Sequence, residues 1–383
     1  MTEPAMTEPA EPIPAQAGPG AFHPALRTRA CELFGVRYPV VQTGMGYVSG
    51  AELTAATANA GGLGIVGGGS MSYDELETAI RRVKELTPAP FGVNMRANQP
   101  DIDRRIALVL REGVRVASFA LAPSRDLIRR LKDGGVVVVP SIGARRHAEK
   151  VAEWGVDAVI VQGSEGGGHT GQVPTSLLLP QVIDAVDIPV VAAGGFHDGR
   201  GLVSALAHGA VGIAMGTRFL LTSDSTVAEN VKQVYLARTV TDSVVTTEVD
   251  GVPQRLLKAG AVERLLDTSV VRRYARAGRN AVAFQRLSGT SWPDMIREGV
   301  AMRRSHDLRW RQVFMAANAP MLYRAALVHG RSDIGIMATG QVVGLIDDLP
   351  SCAELIERIM RQADAVLRRL TAGTGPAPAP RRC

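Results

Sequence analysis

The sequence predicts a (β/α)8 TIM barrel followed by a C-terminal, mostly helical cap. Three observations carry that expectation. Eight short apolar or β-branched runs recur about every 20 to 30 residues, with helical periodicities between them. The runs are continuously apolar instead of alternating, as strands are when both faces are buried. Strict strand–helix alternation makes a parallel sheet with right-handed crossovers. Eight such units favour a closed barrel over the alternative, an open doubly wound sheet.

Residues 1–24 are rich in Pro, Ala and Glu and repeat MTEPA, a composition too poor in apolar surface to fold, so this leader is expected to be disordered. The barrel is expected over 25–238. Its strands should lie at 39–43, 63–66, 91–95, 114–120, 136–141, 158–162, 188–193 and 211–215. Helices should fill 51–60, 73–86, 102–112, 124–133, 145–154, 176–186 and 199–208, with an eighth near 226–237. The β-branched segment 239–251 ends in Asp-Gly and reads as extended or hairpin. Residues 253–325 read as helices and loops with several Arg. A last helix over 353–370 places Leu355, Ile356, Ile359, Met360 and Ala363 on one stripe, with Ser351 as N-cap. The extension 239–370 is expected to cap the barrel mouth, and the tail 371–383 to be disordered.

Apolar residues make up 46% and charged residues 21%, which excludes a wholly disordered chain. Aromatics at 4% speak against a nucleic-acid stacking platform. The net charge is +6, with 38 Arg against 5 Lys. That excess fits an anionic partner or Arg-rich codon usage, but no run of five basic residues marks a nucleic-acid tail. Three scattered cysteines make neither a disulfide framework nor a zinc site, and no metal is expected. Without a signal-peptide pattern or a bilayer-length apolar stretch, the expected location is cytoplasmic, away from membranes.

Barrels of this kind carry their chemistry at the strand C-termini. Those ends read Gln42-Thr43-Gly44-Met45-Gly46, Gly67-Gly68-Gly69-Ser70, Asn94, Ser141-Ile142-Gly143, Gln162-Gly163-Ser164-Glu165-Gly166-Gly167-Gly168-His169, Ala193-Gly194-Gly195 and Gly216-Thr217. So many glycines let backbone amides approach a ligand, and the last two turns fall where barrels often hold a phosphate. Residues 62–67 fit G-x-G-x-x-G, but the motif contains its strand and does not open a helix, so it is no dinucleotide site. His169 closes the triple-glycine loop and is the candidate catalytic proton carrier; a structural histidine is the competing reading. Glu165 is either a second acid or base or a solvated loop charge.

The segments PVVQTGMG, AGGLGIVGGG, FGVNMR, VQGSEGGGHTG, VVAAGGFHDGRG and AMGTRFLLT together resemble the nitronate monooxygenase superfamily, across about residues 28–365. VQTGMGYVSGAELTAATANAGGLGI, EGVRVASFALAP, RFLLTSDSTV, MAANAPML and GLIDDLPSC resemble an actinobacterial branch acting on a CoA thioester in steroid C/D-ring degradation. The resemblance implies FMN in the barrel mouth. Asn94 and Gln162 would contact its ring, and Thr43, Gly44 and Met45 would offer backbone near it. Gly167, Gly194, Gly195, Gly216 and Thr217 would hold phosphate and ribityl chain, with Gly168, Ala193 and Met215 completing the set. His169 matches the family's active-site histidine. Gly166 stands where relatives often carry Ala, which is expected to leave the site undisturbed.

The implied activity is desaturation of a ring-containing acyl-CoA beside its carbonyl, with NAD(H) or NADP(H) as a possible electron partner. A nitronate monooxygenase and an NAD(P)H-dependent enoyl or quinone reductase are the alternatives. Arg272, Arg273, Arg276, Arg279, Arg303, Arg304, Arg309 and Arg311 could meet CoA phosphates or form ordinary solvated faces. A homo-oligomer is also expected to be possible.

Overall fold

The computed structural model describes residues 22–267 and 310–372. Eight parallel strands close a barrel: β1 (Val40–Gln42), β2 (Leu63–Val66), β3 (Gly92–Met95), β4 (Val116–Phe119), β5 (Val137–Ile142), β6 (Val159–Gln162), β8 (Val190–Ala193) and β9 (Gly212–Met215). Closure comes from β1 on β9, with Val40 opposite Ile213 and Gln42 opposite Met215. The intervening helices are α2 (Ala51–Asn59), α3 (Tyr73–Leu86), α4 (Ile102–Arg111), α5 (Arg125–Asp133), α6 (Arg145–Glu153), α7 (Thr175–Ile183) and α8 (Gly199–Ala207). The closed architecture excludes the open sheet.

The unbroken apolar runs have a direct explanation in the packing. Val41, Leu63, Ile65, Val116, Val137, Val139, Ile160 and Val191 join one buried cluster with Ala30 and Phe34 of α1 (Arg29–Phe34). Their neighbours Val40, Val66, Val93, Val138, Val159, Val161 and Ile213 join a second cluster with the helices. Period-two alternation therefore persists, but both sets are apolar because one fills the barrel and the other meets its jacket.

Beyond β9 come α9 (Thr217–Leu220) and α10 (Glu229–Leu236). Four residues are too few to show a helical period, so α9 left no pattern in the sequence. The β-branched segment supplies β10 (Ser243–Thr246), but its hairpin partner is β11 (Gln254–Leu257), a strand within the stretch expected to hold helices and loops. The outer edge of β11 pairs with β7 (Gly168–His169) inside the glycine loop. The hairpin is followed by α11 (Ala261–Asp267), α12 (Trp310–Leu327) and α13 (Cys352–Thr371). Ser351 caps α13 in a reciprocal box with Glu354, as its position predicts.

The extension does two jobs. Its hairpin and residues 339–341 reach the strand C-termini, whereas α13 packs on α8 and α2 along the barrel's flank. An apolar stripe on a helix finds its burial against the apolar outer faces of other helices, and the polar mouth offers none. The leader's last residues are also engaged: Phe22 meets Tyr38 edge-on, and the His23 amide donates to Asp364 at 2.6 Å. Residues 1–21 and 373–383 lie outside the described residues. No helix among the described residues is long and apolar enough to cross a membrane.

Cys31 and Cys352 are buried and free. Burial pushes the Cys31 thiol up, and pushes Cys352, between α13 and α2, up to about 12. Since the thiolate is the nucleophile, both should resist a thiol reagent at pH 8 in the native protein and react once it unfolds. Rapid native labelling of Cys352, read by mass spectrometry, would mean that α13 detaches readily.

Candidate active site

The first turn of the mouth is braced from below. Buried Gln42 donates to Ser49 Oγ at 2.8 Å and to the Ile65 carbonyl at 3.2 Å. Ser49 Oγ in turn donates to the Thr43 carbonyl and accepts the Met45 amide, each at 2.9 Å. The Thr43 amide bonds the Met215 carbonyl, which brings β1 and β9 ends together beside Gly216. Gly44 abuts Asn94, whose amide donates to Ser118 Oγ at 3.3 Å. Tyr47, just beyond, is the one non-glycine residue with positive φ (64°) among those described. Such backbone strain concentrates at functional turns.

On the opposite side Gln162 holds the glycine loop, donating to the His169 carbonyl at 2.8 Å and the Gly167 carbonyl at 3.4 Å. Gly194 and Gly195 follow β8 with φ of 96° and 85°, a left-handed pair that exposes consecutive backbone groups. Gly168 is also left-handed and lies on β7. The side chains of Ala193 and Met215 are buried in the core, so these two can offer only backbone. Gly167 faces the Thr339–Gly340 backbone, and Thr217 Oγ1 accepts the Gly340 amide at 2.9 Å. Every expected site residue therefore lies at one end of the barrel, with part of the set engaged by the extension.

His169 is 61% exposed, with its Nε2 2.7 Å from Asp250 Oδ2. Asp250 sits in the β10–β11 connection. Burial raises its pKa, but hydrogen bonds from His169 and Gln254 outweigh that and hold the carboxyl below the usual range. Gln254 is buried, and its Oε1 accepts the Tyr323 hydroxyl of α12 at 2.8 Å. Burial, seconded by the charge of Asp250, raises the Tyr323 pKa, so the phenol stays a donor. Tyr323 stacks on Tyr47 at 6.4 Å, joining the network to the β1 turn. The sequence offered no sign of Asp250's role, since an Asp-Gly pair reads as a turn wherever it occurs.

Two expectations change. Glu165 is neither a free acid nor a solvated charge: its carboxylate accepts the Thr175 amide at 2.9 Å and hydroxyl at 2.8 Å, holding the start of α7. Nor is the residue at 166 indifferent. A Cβ there would lie 2.6–2.8 Å from Nε2, Cγ and Cδ of Gln162. Gly166→Ala should force Gln162 to another rotamer and release the His169 carbonyl. A crystal structure of the variant with Gln162 still bonded there would contradict this.

His197 lines a different cavity of about 860 Å3 with Asp198, Arg218, Asp348 and Arg358, none of them expected site residues. Burial lowers its pKa. Among the described residues no three His, Cys, Asp or Glu side chains gather as a metal site. Of the arginines considered for CoA, Arg272, Arg273, Arg276, Arg279, Arg303, Arg304 and Arg309 lie outside the described residues; Arg311 lies on α12.

The nitronate monooxygenase family profile matches residues 27–105 and 101–362. Two proteins named (3aS,4S,5R,7aS)-5-hydroxy-7a-methyl-1-oxo-octahydro-1H-indene-4-carboxyl-CoA dehydrogenase are 58% identical to this chain. The one from Rhodococcus jostii (strain RHA1) aligns over 343 residues, 90% of this chain and 97% of that protein. The one from Mycobacterium tuberculosis (strain ATCC 25618 / H37Rv) aligns over 350 residues, 91% and 99%. FabK from Thermotoga maritima superposes with a TM-score of 0.74 at 31% identity, covering 90% of this chain and 99% of that one. With its profile matched nearly end to end and its closed barrel shared, the chain belongs to the nitronate monooxygenase family.

Proposed function

We propose that this protein is an FMN-dependent dehydrogenase that desaturates a ring-containing acyl-CoA thioester beside its carbonyl, in steroid C/D-ring breakdown. The observation that carries the reading is the exposed His169 imidazole at the mouth, backed by the Asp250 carboxylate. The two dehydrogenases similar along nearly the whole chain support the choice of substrate.

The residues present fit FMN. The left-handed Gly194–Gly195 pair after β8 and Gly216 after β9 carry no side chain, so their backbone amides could meet a phosphate, with Thr217 next in the chain. Asn94 and Gln162 add carboxamides that could meet a planar heteroaromatic ring. When bound, FMN supplies the acceptor for the hydride lost from the substrate's β carbon, and NAD(P)+ would regenerate it. The thioester carbonyl acidifies the α carbon, and His169 takes that proton. Its Asp250 partner steadies the imidazolium that results, as a carboxylate does for a histidine base.

The purified protein should be yellow and release FMN on denaturation. Adding a ring-bearing acyl-CoA without oxygen should bleach the flavin absorbance. Bleaching by none of a panel of ring-bearing and linear acyl-CoAs, together with oxygen uptake driven by an alkyl nitronate, would replace this reading by nitronate oxidation.

A further inference from the structure

We propose that Asp250 is a positioning residue that fixes His169 as its Nε2–H tautomer, so that Nδ1 is the atom that takes the proton. The proposal rests on the reading of His169 as the base of a dehydrogenase, but its central claim concerns the free imidazole.

The argument is one of donors and acceptors. An ionised carboxylate only accepts, so the 2.7 Å contact requires the hydrogen on His169 Nε2. A neutral imidazole carries one N–H, which leaves the lone pair on Nδ1. The polarity continues behind the carboxylate. The Tyr323 hydroxyl donates to Gln254 Oε1, so the amide nitrogen of Gln254 is the group left to donate to Asp250. Oδ1 of Asp250 also accepts the Val252 amide at 3.1 Å. Each carboxylate oxygen is thus engaged, and the carboxylate cannot turn away without losing bonds.

The support is built into the fold. Gln254 stands directly opposite His169 in the β11–β7 ladder, so the same pairing aligns the histidine backbone and the residue that braces its partner. An exposed imidazole would otherwise rotate about its side-chain bonds and sample both tautomers. In the step itself the substrate's α C–H bond breaks, its electron pair stays with the thioester, and the proton passes to Nδ1. The resulting imidazolium keeps its Nε2–H against Asp250.

The test uses the holoenzyme labelled with 15N-histidine. The His169 signals are assigned by their loss in His169→Ala, and the ring shifts identify the protonated nitrogen. Wild type should show the Nε2–H form. Asp250→Asn should lose that preference and lower kcat about 10²-fold, with KM, FMN content and melting temperature little changed. Asp250→Glu should restore the tautomer and part of kcat. An Nδ1–H signature in wild type overturns the proposal, as does Asp250→Asn with unchanged spectrum and turnover. The spectral arm needs no substrate, so a tautomer that depends on Asp250 would stand even if no CoA thioester reacted.

Discussion

His169→Ala is expected to lower acyl-CoA turnover about 10²–10⁴-fold while FMN remains bound, the usual range for a positioned acid or base. The imidazole is well exposed, and its bonded partner, Asp250, belongs to the extension and not to the glycines at β8 and β9. Removing it should therefore spare the flavin spectrum and the melting temperature. His169→Gln provides the control, since it can still hydrogen-bond but cannot take the proton. The assay is single-turnover flavin bleaching at saturating FMN. Near wild-type bleaching in His169→Ala would dismiss it as the base. Glu165 would not be its replacement, because that carboxylate is committed to Thr175.

The second large effect concerns stability. Arg105→Met should cost about 3 kcal/mol, the loss of two hydrogen bonds from a charged donor to backbone carbonyls. Arg105 is 3% exposed on α4 and reaches across to the turn after β2, donating to Gly68 O at 3.0 Å and Met71 O at 2.7 Å. Its Nε pairs with Asp101, one helical turn earlier, at 2.8 Å. Met keeps the apolar stem and removes the donors, which separates hydrogen bonding from packing. Urea unfolding should show a lower midpoint at unchanged slope. A shift equivalent to less than 1 kcal/mol would show that this turn holds its shape without the guanidinium.

Much of the site's location was legible in the sequence because a parallel barrel puts its loops in chain order. Thr43, Gly194 and Gly216 each follow a strand of the same closed sheet, and Asn94 and Gln162 stand at the C-terminal ends of theirs, so knowing the strands placed all five at one end. Arg105 was not legible: beside Arg104 and one of three arginines on an amphipathic helix, it looks like any solvated charge, and only the fold turns it inward. The tight fit at Gly166 is hidden for a similar reason, since the space beside it is filled by Gln162, whose rotamer no sequence pattern reports.

The sequence by itself determined the barrel, its strand order, the position of His169 at the mouth and the capped last helix. Each of these follows from periodicity or from neighbours within a few residues, which local sterics and hydrogen bonding enforce. Tertiary structure alone decided what faces His169. Asp250 is 81 residues away in the chain, Gln254 is paired to His169 across β11 and β7, and Tyr323 comes from a later helix. Contacts of that separation depend on how the hairpin docks on the glycine loop, and strand pairing leaves no periodic trace of its partner. The histidine could be found in the sequence, but the carboxylate that orients it could be found only in the fold.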